Sequence, residues 1–353
     1  MLKTHAYAAA SAGAPLAPFT FEQREPGPQD VLIDILYCGV CHSDIHQARD
    51  EWGGSLFPMV PGHEIIGRVK QVGSAVKKLK VGDLAGVGCM VDSCRDCAPC
   101  RDDMEQACEK GVAVTYNGTL MDRKTPTFGG YSTQLVVTEH FTVKVPEGLD
   151  PAAAAPLLCA GITTYSPLRQ WNCKAGDRVA VVGLGGLGHM AVKFAVSMGA
   201  EVTVLSTSRS KEEDARRLGA KGFEVTREEG TFKKLAGRFD LIIDTVSAPH
   251  DYNQYLGTLR HKGTMVLVGV PPEPAPVAAF ALIQGNKRLV GSGIGGMAET
   301  QEMLDYCARH GIASDIEVIP IQQINEAYAR MLKNDVRYRF VIDVASLKAA
   351  AAR

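Results

Sequence analysis

The chain has 353 residues, of which 46% are hydrophobic and 22% charged, with a formal net charge of −1. That length points to two domains with separate cores, and the balanced charge, without a basic stripe, excludes nucleic acid and anionic membrane surfaces as partners. No apolar run reaches the roughly 18 residues of a membrane span, and Met1-Leu2-Lys3-Thr4-His5 leads into no apolar signal-peptide core. The expectation is a cytoplasmic protein.

In chain order, residues 31–37 form a half-alternating, β-branched run, and 64–69 and 134–137 resemble it, each bounded by Gly or Pro turns. The turn-forming stretch 146–151 precedes an Ala-rich segment that opens a helix. The pattern then alternates: strand 178–183, helix 188–198, strand 201–205, helix 211–218, and strands 240–244 and 264–268. Such a βαβα rhythm predicts a parallel sheet covered on both faces. A helical period returns at Met303, Leu304 and Cys307, and the chain closes on the strand-like 339–344. The expected fold is α/β: a doubly wound domain over 157–296 inserted in a β-rich domain made of 1–156 and 297–353.

Ten cysteines are present, and four are bunched as Cys94-x2-Cys97-x2-Cys100-x7-Cys108. In a reducing compartment a tight cluster signals a metal more than disulfides. Short spacers let one polar loop, with Arg95, Asp96, Asp102 and Asp103, wrap a single ion, and thiolates are soft ligands that zinc accepts. An iron–sulfur cluster is the rival, but there the fourth cysteine follows after three residues with a proline beside it, whereas here it follows after seven, with Glu109 next. Four protein ligands close the site, so this zinc is structural.

Gly183-Leu184-Gly185-Gly186-Leu187-Gly188 follows a predicted strand and opens a helix. In that context it reads as the Rossmann dinucleotide loop, whose glycines let the backbone approach a pyrophosphate at a helix N-terminus. NAD enzymes place a carboxylate at the end of the next strand for the ribose 2′-OH. Here that strand ends at Leu205, followed by Ser206-Thr207-Ser208-Arg209-Ser210-Lys211, and Glu212 and Glu213 come a helical turn too late. Hydroxyls with Arg209 and Lys211 suit a 2′-phosphate, hence NADP(H).

Three further segments carry candidate ligands for an open metal site: Cys41-His42-Ser43-Asp44-Ile45-His46, Pro61-Gly62-His63-Glu64 and Leu158-Cys159-Ala160-Gly161. Singly, each has an ordinary explanation, since a buried Cys is usually an inert small hydrophobe. Together with Cys38-Gly39-Val40, Gly129-Gly130-Tyr131, the cysteine lobe, the glycine loop and Asn334-Asp335-Val336-Arg337-Tyr338-Arg339-Phe340, they resemble the zinc-containing medium-chain alcohol dehydrogenases, in the cinnamyl alcohol dehydrogenase and broad-range NADPH aldehyde reductase branch. The motifs span nearly the whole chain in that family's order.

The resemblance implies a GroES-like catalytic domain and a Rossmann cofactor domain. It implies a catalytic zinc on Cys41, His63 and Cys159, with Glu64 able to approach the metal and Asp44 holding His63. Cofactor contacts are implied for Ser43, Thr163, Thr245, Val268, Gly269, Ser292, Gly293, Ile294 and Arg339, the last at the pyrophosphate. Implied too is hydride transfer between NADP(H) and a primary alcohol or aldehyde, aromatic or medium-chain and broad in range. The proton leaves through Ser43, a cofactor ribose hydroxyl and His46, histidine being the side chain suited to proton exchange near neutrality. Trp52, Leu56, Phe57, Tyr116 and Ile294 are candidates for the apolar substrate wall, and a homodimer is expected by analogy. Two other readings are a zinc-free quinone or enoyl reductase of the same fold and an idle NADPH-binding protein. The complete ligand and relay set speaks against both.

Overall fold

The β-branched run at 31–37 lies inside a ten-residue strand, Asp30–Gly39, most of whose side chains are buried. Ile65–Val72 runs antiparallel along one edge of it. The other edge is shared: Gln134–Thr138 pairs with the first half, and Arg339–Asp343 with the last residues. The order Val143–Lys144, Leu84–Val87, Ile65–Val72, Asp30–Gly39, Arg339–Asp343, Ile316–Pro320 completes this sheet, so residues as far apart in sequence as Tyr37 and Asp343 share one ladder. The computed structural model describes residues 1–351. It falls into two units: Met1–Cys159 with the segment from Gly295 onward, and Ala160–Ile294.

The second unit is a six-stranded, all-parallel sheet in the order Gly222–Val225, Glu201–Ser206, Arg178–Val182, Phe239–Asp244, Leu259–Leu267, Arg288–Gly291. Numbered along the chain this is 3-2-1-4-5-6, the doubly wound order with its switch point beside the first strand. The central strand reads RVAVV, with its last four residues buried, because a parallel strand covered on both faces needs apolar side chains on both. The glycine loop leaves this strand at its C-terminal end and enters the helix Gly188–Ser197.

The structure departs from the sequence pattern in identifiable places. The helix expected over 211–218 is a 3₁₀ turn, Arg209–Lys211, followed by a short helix, Glu212–Arg217. Ser208 caps the turn by accepting a hydrogen bond from the Ser210 N–H, which starts the segment two residues early. The strand expected at 264–268 begins at Leu259. The hairpin Leu2–Ala8/Ala17–Gln23 and the edge strands Gly222–Val225 and Arg288–Gly291 carry no clean alternation, as an edge exposed to water does not require one.

Candidate metal centres and cofactor loop

Strand Asp30–Gly39 delivers Cys41 to the N-cap of the helix His42–Ala48. The Cys41 N–H donates to Asp44 Oδ2 at 2.9 Å, so the third helical residue caps the helix that presents the thiol. Asp44 is fully buried and accepts two further hydrogen bonds, from the Gly62 N–H (3.2 Å) and from Tyr131 Oη (3.1 Å). Its Oδ1 also lies 3.6 Å from His63 Nδ1. One carboxylate therefore ties the Cys41 corner to the Pro61–Glu64 loop. Gly62 sits there at φ +106°, and a Cβ on it would meet Cys38 Sγ and Tyr131 Cδ1 at 2.7 Å, so both conformation and space demand glycine.

Cys41, His63, Glu64 and Cys159 each offer one ligand atom, all within 4.8 Å of one another. All four residues are buried. His63 Nε2 and Glu64 Oε2 have no hydrogen-bond partner among the described residues. A buried polar atom without a partner is costly, and an imidazole nitrogen facing two thiols is what a metal site requires. Hydrogen bonding with Cys159 pulls the Cys41 thiol well below its ordinary range, against burial and with help from His63. Burial opposes a charged His63 ring, yet Cys89, Asp44 and Cys41 outweigh it and draw its pKa well up. Surroundings that hold a proton on a buried imidazole suit a cation equally. The residues fit a zinc ion with three protein ligands and an open position.

Glu64 Oε1 accepts from Arg339, which is only 4% exposed. Burial pushes the Glu64 carboxyl up to about 7 against the Arg339 charge. The structure thus places Arg339 first against Glu64, in the same unit. Ser43 Oγ lies 3.6 Å from Cys41 Sγ. His46 stands further along the helix, its Nδ1 bonded to Glu51 and its ring 5.0 Å from that of Trp52. With 29% of its side chain exposed, His46 is open to solvent. Trp52 and Leu56 are about half exposed, at 51% and 50%. Tyr116 is instead buried flat against the His63 ring, centroids 5.7 Å apart and planes within 2°. Phe57 and Ile294 are half-buried.

The cysteine lobe brings its four sulfurs together, with Cys94–Cys100 at 3.9 Å and Cys97–Cys108 at 4.0 Å. Two thiolates each about 2.3 Å from a tetrahedral zinc would stand about 3.8 Å apart. Among the described residues all ten cysteines are free, so these spacings belong to no disulfide. Backbone N–H groups of Cys94, Cys97 and Glu109 donate to Cys108, Cys94 and Cys97 sulfurs respectively, each at 3.4 Å. Such donors stabilise thiolates, and the lobe fits a closed four-sulfur ion site.

In the second unit Gly183 adopts φ +85°, and a Cβ on Gly188 would fall 2.2 Å from the Gly183 carbonyl, so the loop turns back on its own helix. Lys211 reaches it, Nζ donating to the Leu184 carbonyl at 2.8 Å. Ser206, buried at the end of its strand, accepts from the Ser208 N–H, and the Ser208 and Ser210 hydroxyls lie 2.9 Å apart. Arg209 is turned to Glu212 and Glu228. Thr245, Val268, Gly269 and Ser292 follow the C-terminal ends of neighbouring strands, and Ser292 Oγ is buried without a partner among the described residues. Thr163 is buried in the helix Ala160–Gln170. A cradle that a Cβ would fill, beside hydroxyls and a lysine, fits a phosphorylated dinucleotide.

Three contacts had no sequence signal: Glu51 on His46, Tyr131 on Asp44, and Cys89, whose Sγ lies 4.0 Å from the Leu158 carbonyl beside Cys159. Glu51 lies only five positions from His46, but nothing in that spacing marks it as a partner. The other two join residues 87 and 69 apart, which only the fold brings together.

Residues 27–147 match the family described as the alcohol dehydrogenase GroES-like domain, and residues 186–309 the one described as zinc-binding dehydrogenase. The chain is 55% identical to NADP-dependent alcohol dehydrogenase C of Mycobacterium bovis, over 97% of this chain and 99% of the relative. It matches a cinnamyl alcohol dehydrogenase from Sorghum bicolor with a TM-score of 0.95 at 47% identity, covering 98% of each chain. The crystal structure of the CAD protein from Helicobacter pylori complexed with NADP(H) matches with a TM-score of 0.92 at 44% identity, over 98% of this chain and 99% of that one.

Proposed function

The chain belongs to the zinc-containing medium-chain alcohol dehydrogenase family, and from that premise we propose that the first unit is its catalytic domain and the second its cofactor domain. It is an NADP-dependent alcohol dehydrogenase that interconverts alcohols and aldehydes. We take its substrates to be primary, aromatic or medium-chain, with broad range, since the half-exposed Trp52 and Leu56 offer an apolar wall near the relay helix. The observation that carries the mechanism is the buried convergence of Cys41, His63 and Cys159 with His63 Nε2 unpartnered. The ten free cysteines suit a reducing compartment, the cytoplasm.

Zinc held by Cys41, His63 and Cys159 would polarise the substrate oxygen as a Lewis acid, and NADP(H) would carry the hydride. Asp44 fixes the His63 ring through Nδ1 and leaves Nε2 for the metal. Ser43 Oγ, half-buried beside Cys41, would relay the substrate hydroxyl proton, giving up its own proton toward His46 as it accepts one. His46 hands a proton to water at the exposed end, with Glu51 orienting its ring. Glu64, held by Arg339, is the carboxylate able to exchange partners at the metal. Lys211, Ser206, Thr207 and Ser208 would hold the 2′-phosphate, and Arg209 could join them because its exposed pairing with Glu228 is easily exchanged. The cysteine lobe would hold the structural zinc on Cys94, Cys97, Cys100 and Cys108.

Two copies associate through the edge strand Arg288–Gly291, which among the described residues pairs on one side only, and Val270, Phe280 and Ile283, exposed by 64%, 77% and 65%. A patch of such apolar residues beside an open edge is a subunit contact. Gel filtration at twice the monomer mass, falling to the monomer in Phe280→Asp, is the expected result; a wild-type monomer sinks it.

The activity test is oxidation of NADPH followed at 340 nm with benzaldehyde as substrate. Turnover is expected with the metal-loaded protein and should disappear when a chelator strips the metal. Undiminished turnover after complete metal removal would overturn the zinc mechanism.

A further inference from the structure

The loop after strand Phe239–Asp244 borders the dinucleotide cradle: a Cβ on Gly183 would meet Val246 Cγ2 at 2.8 Å and Thr245 Oγ1 at 3.1 Å. A Cβ on Gly269 would meet the Val246 carbonyl oxygen at 2.4 Å. One side chain closes this loop. His250 Nε2 lies 2.7 Å from Asp244 Oδ2, and its Nδ1 lies 2.8 Å from the Ala248 carbonyl. Asp244 is 1% exposed, and its Oδ1 accepts from the Val246 N–H. Both partners of the imidazole are acceptors, so both ring nitrogens must carry hydrogen for both bonds to exist. That is the hydrogen-bonding geometry of an imidazolium, and the ring packs edge-on against Tyr252 and Tyr255.

We propose that His250, as an imidazolium, is a positioning residue for the dinucleotide, clamping the Thr245–Val246 turn against the glycine loop so that cofactor affinity falls when the ring loses its second proton. The proposal rests on the NADP(H) reading above. The charged and titratable groups facing the ring are Asp244 at the strand end and Asp251, Tyr252 and Tyr255 from the next helix. Burial disfavours the charged ring, but the Asp244 and Ala248 hydrogen bonds and the two carboxylate charges outweigh it, so its pKa is raised. A neutral ring keeps one N–H and must surrender either the Ala248 or the Asp244 bond. Because an ordered loop and a protonated ring favour each other, bound cofactor must in turn raise the proton affinity of His250.

The test is the dissociation constant of NADPH, read by cofactor fluorescence from about pH 6, near the ordinary histidine value, to about pH 9 on the zinc-loaded protein, wild type and His250→Asn. Wild-type affinity should fall about three- to tenfold across this range, the worth of one hydrogen bond. The variant should start weakened by a similar factor and show a flat profile. On wild-type protein, the His250 ring resonances should titrate above the ordinary histidine value of about 6.5 and move higher when NADPH is added. Those shifts need no variant to fold. NADPH binding with a flat wild-type profile, or a His250 resonance unmoved by cofactor, overturns the proposal alone. No NADPH binding at any pH overturns the cofactor reading and this proposal together.

Discussion

At position 46 the imidazole bonds to Glu51, lies against Trp52 and keeps part of its surface in water. None of these contacts touches a metal-site sulfur, so loss of the ring should leave zinc in place and slow only the proton. Turnover of His46→Gln should fall by about a hundred- to ten-thousandfold, and small imidazole or amine buffers should restore part of it. Loss of zinc from the variant, or unchanged turnover, would remove His46 from the relay. At position 211 the ammonium sits over the glycine loop. Lys211→Ala should weaken NADPH binding by about ten- to a hundredfold while NADH kinetics hold, because a charge-assisted contact to the 2′-phosphate is what it loses. Equal losses for both cofactors would show that Lys211 only braces the loop. Position by position, the sequence displayed the residues of both candidate metal clusters. Spacing alone grouped only Cys94, Cys97, Cys100 and Cys108, since one loop carries them. Cys41, His63 and Cys159 are 22 and 96 residues apart, so only resemblance could group them before the fold did.

Among the elements, the helix His42–Ala48 and the cysteine lobe carry the most chemistry for their size. The helix is short, with Asp44 capping it at the Cys41 N–H and bonding the Gly62 loop as well. It went unread in the sequence because its apolar period is too brief to register. The buried strands of the parallel sheet were legible because two covered faces demand continuous β-branched runs; the edge strands were not, because water covers one side of them. The lobe has almost no apolar core of its own beyond its cysteines and Val112. Beyond the bonds of Glu105 to His140 and the Met297 N–H, an ion is the main source of order proposed for it, and structural zinc supplies about 10–16 kcal/mol of apparent binding energy in small domains. Cys97→Ser is therefore expected to lose zinc and lower the melting temperature sharply, by calorimetry. A native melting curve with one zinc fewer would mean that the lobe folds without its metal.

Over the whole molecule, the two sheets divide the work. The first unit gathers Cys41, His63 and Cys159, the proposed zinc ligands, and carries His46, the proposed end of the relay; the second carries the glycine cradle, the hydroxyls proposed for the 2′-phosphate and His250. The parallel character of the second sheet was legible from the alternating strand–helix rhythm, but its 3-2-1-4-5-6 order was not, because the two unread edge strands and the pairing that orders them appear only in the fold. The C-terminal run 339–344 read as a strand, and the fold pairs it with the first sheet. The mechanism proposed requires an open zinc site on Cys41, His63 and Cys159 that runs the reaction beside a closed one on the cysteine lobe that holds structure. Its most direct test is metal analysis of purified wild type and Cys159→Ala, paired with melting curves and NADPH-dependent aldehyde reduction. The prediction is two zinc ions per chain in the wild type, and one in Cys159→Ala with a near-native melting curve and no turnover. A fully active wild type with one zinc or none, or a Cys159→Ala protein that keeps both ions and its activity, would contradict it.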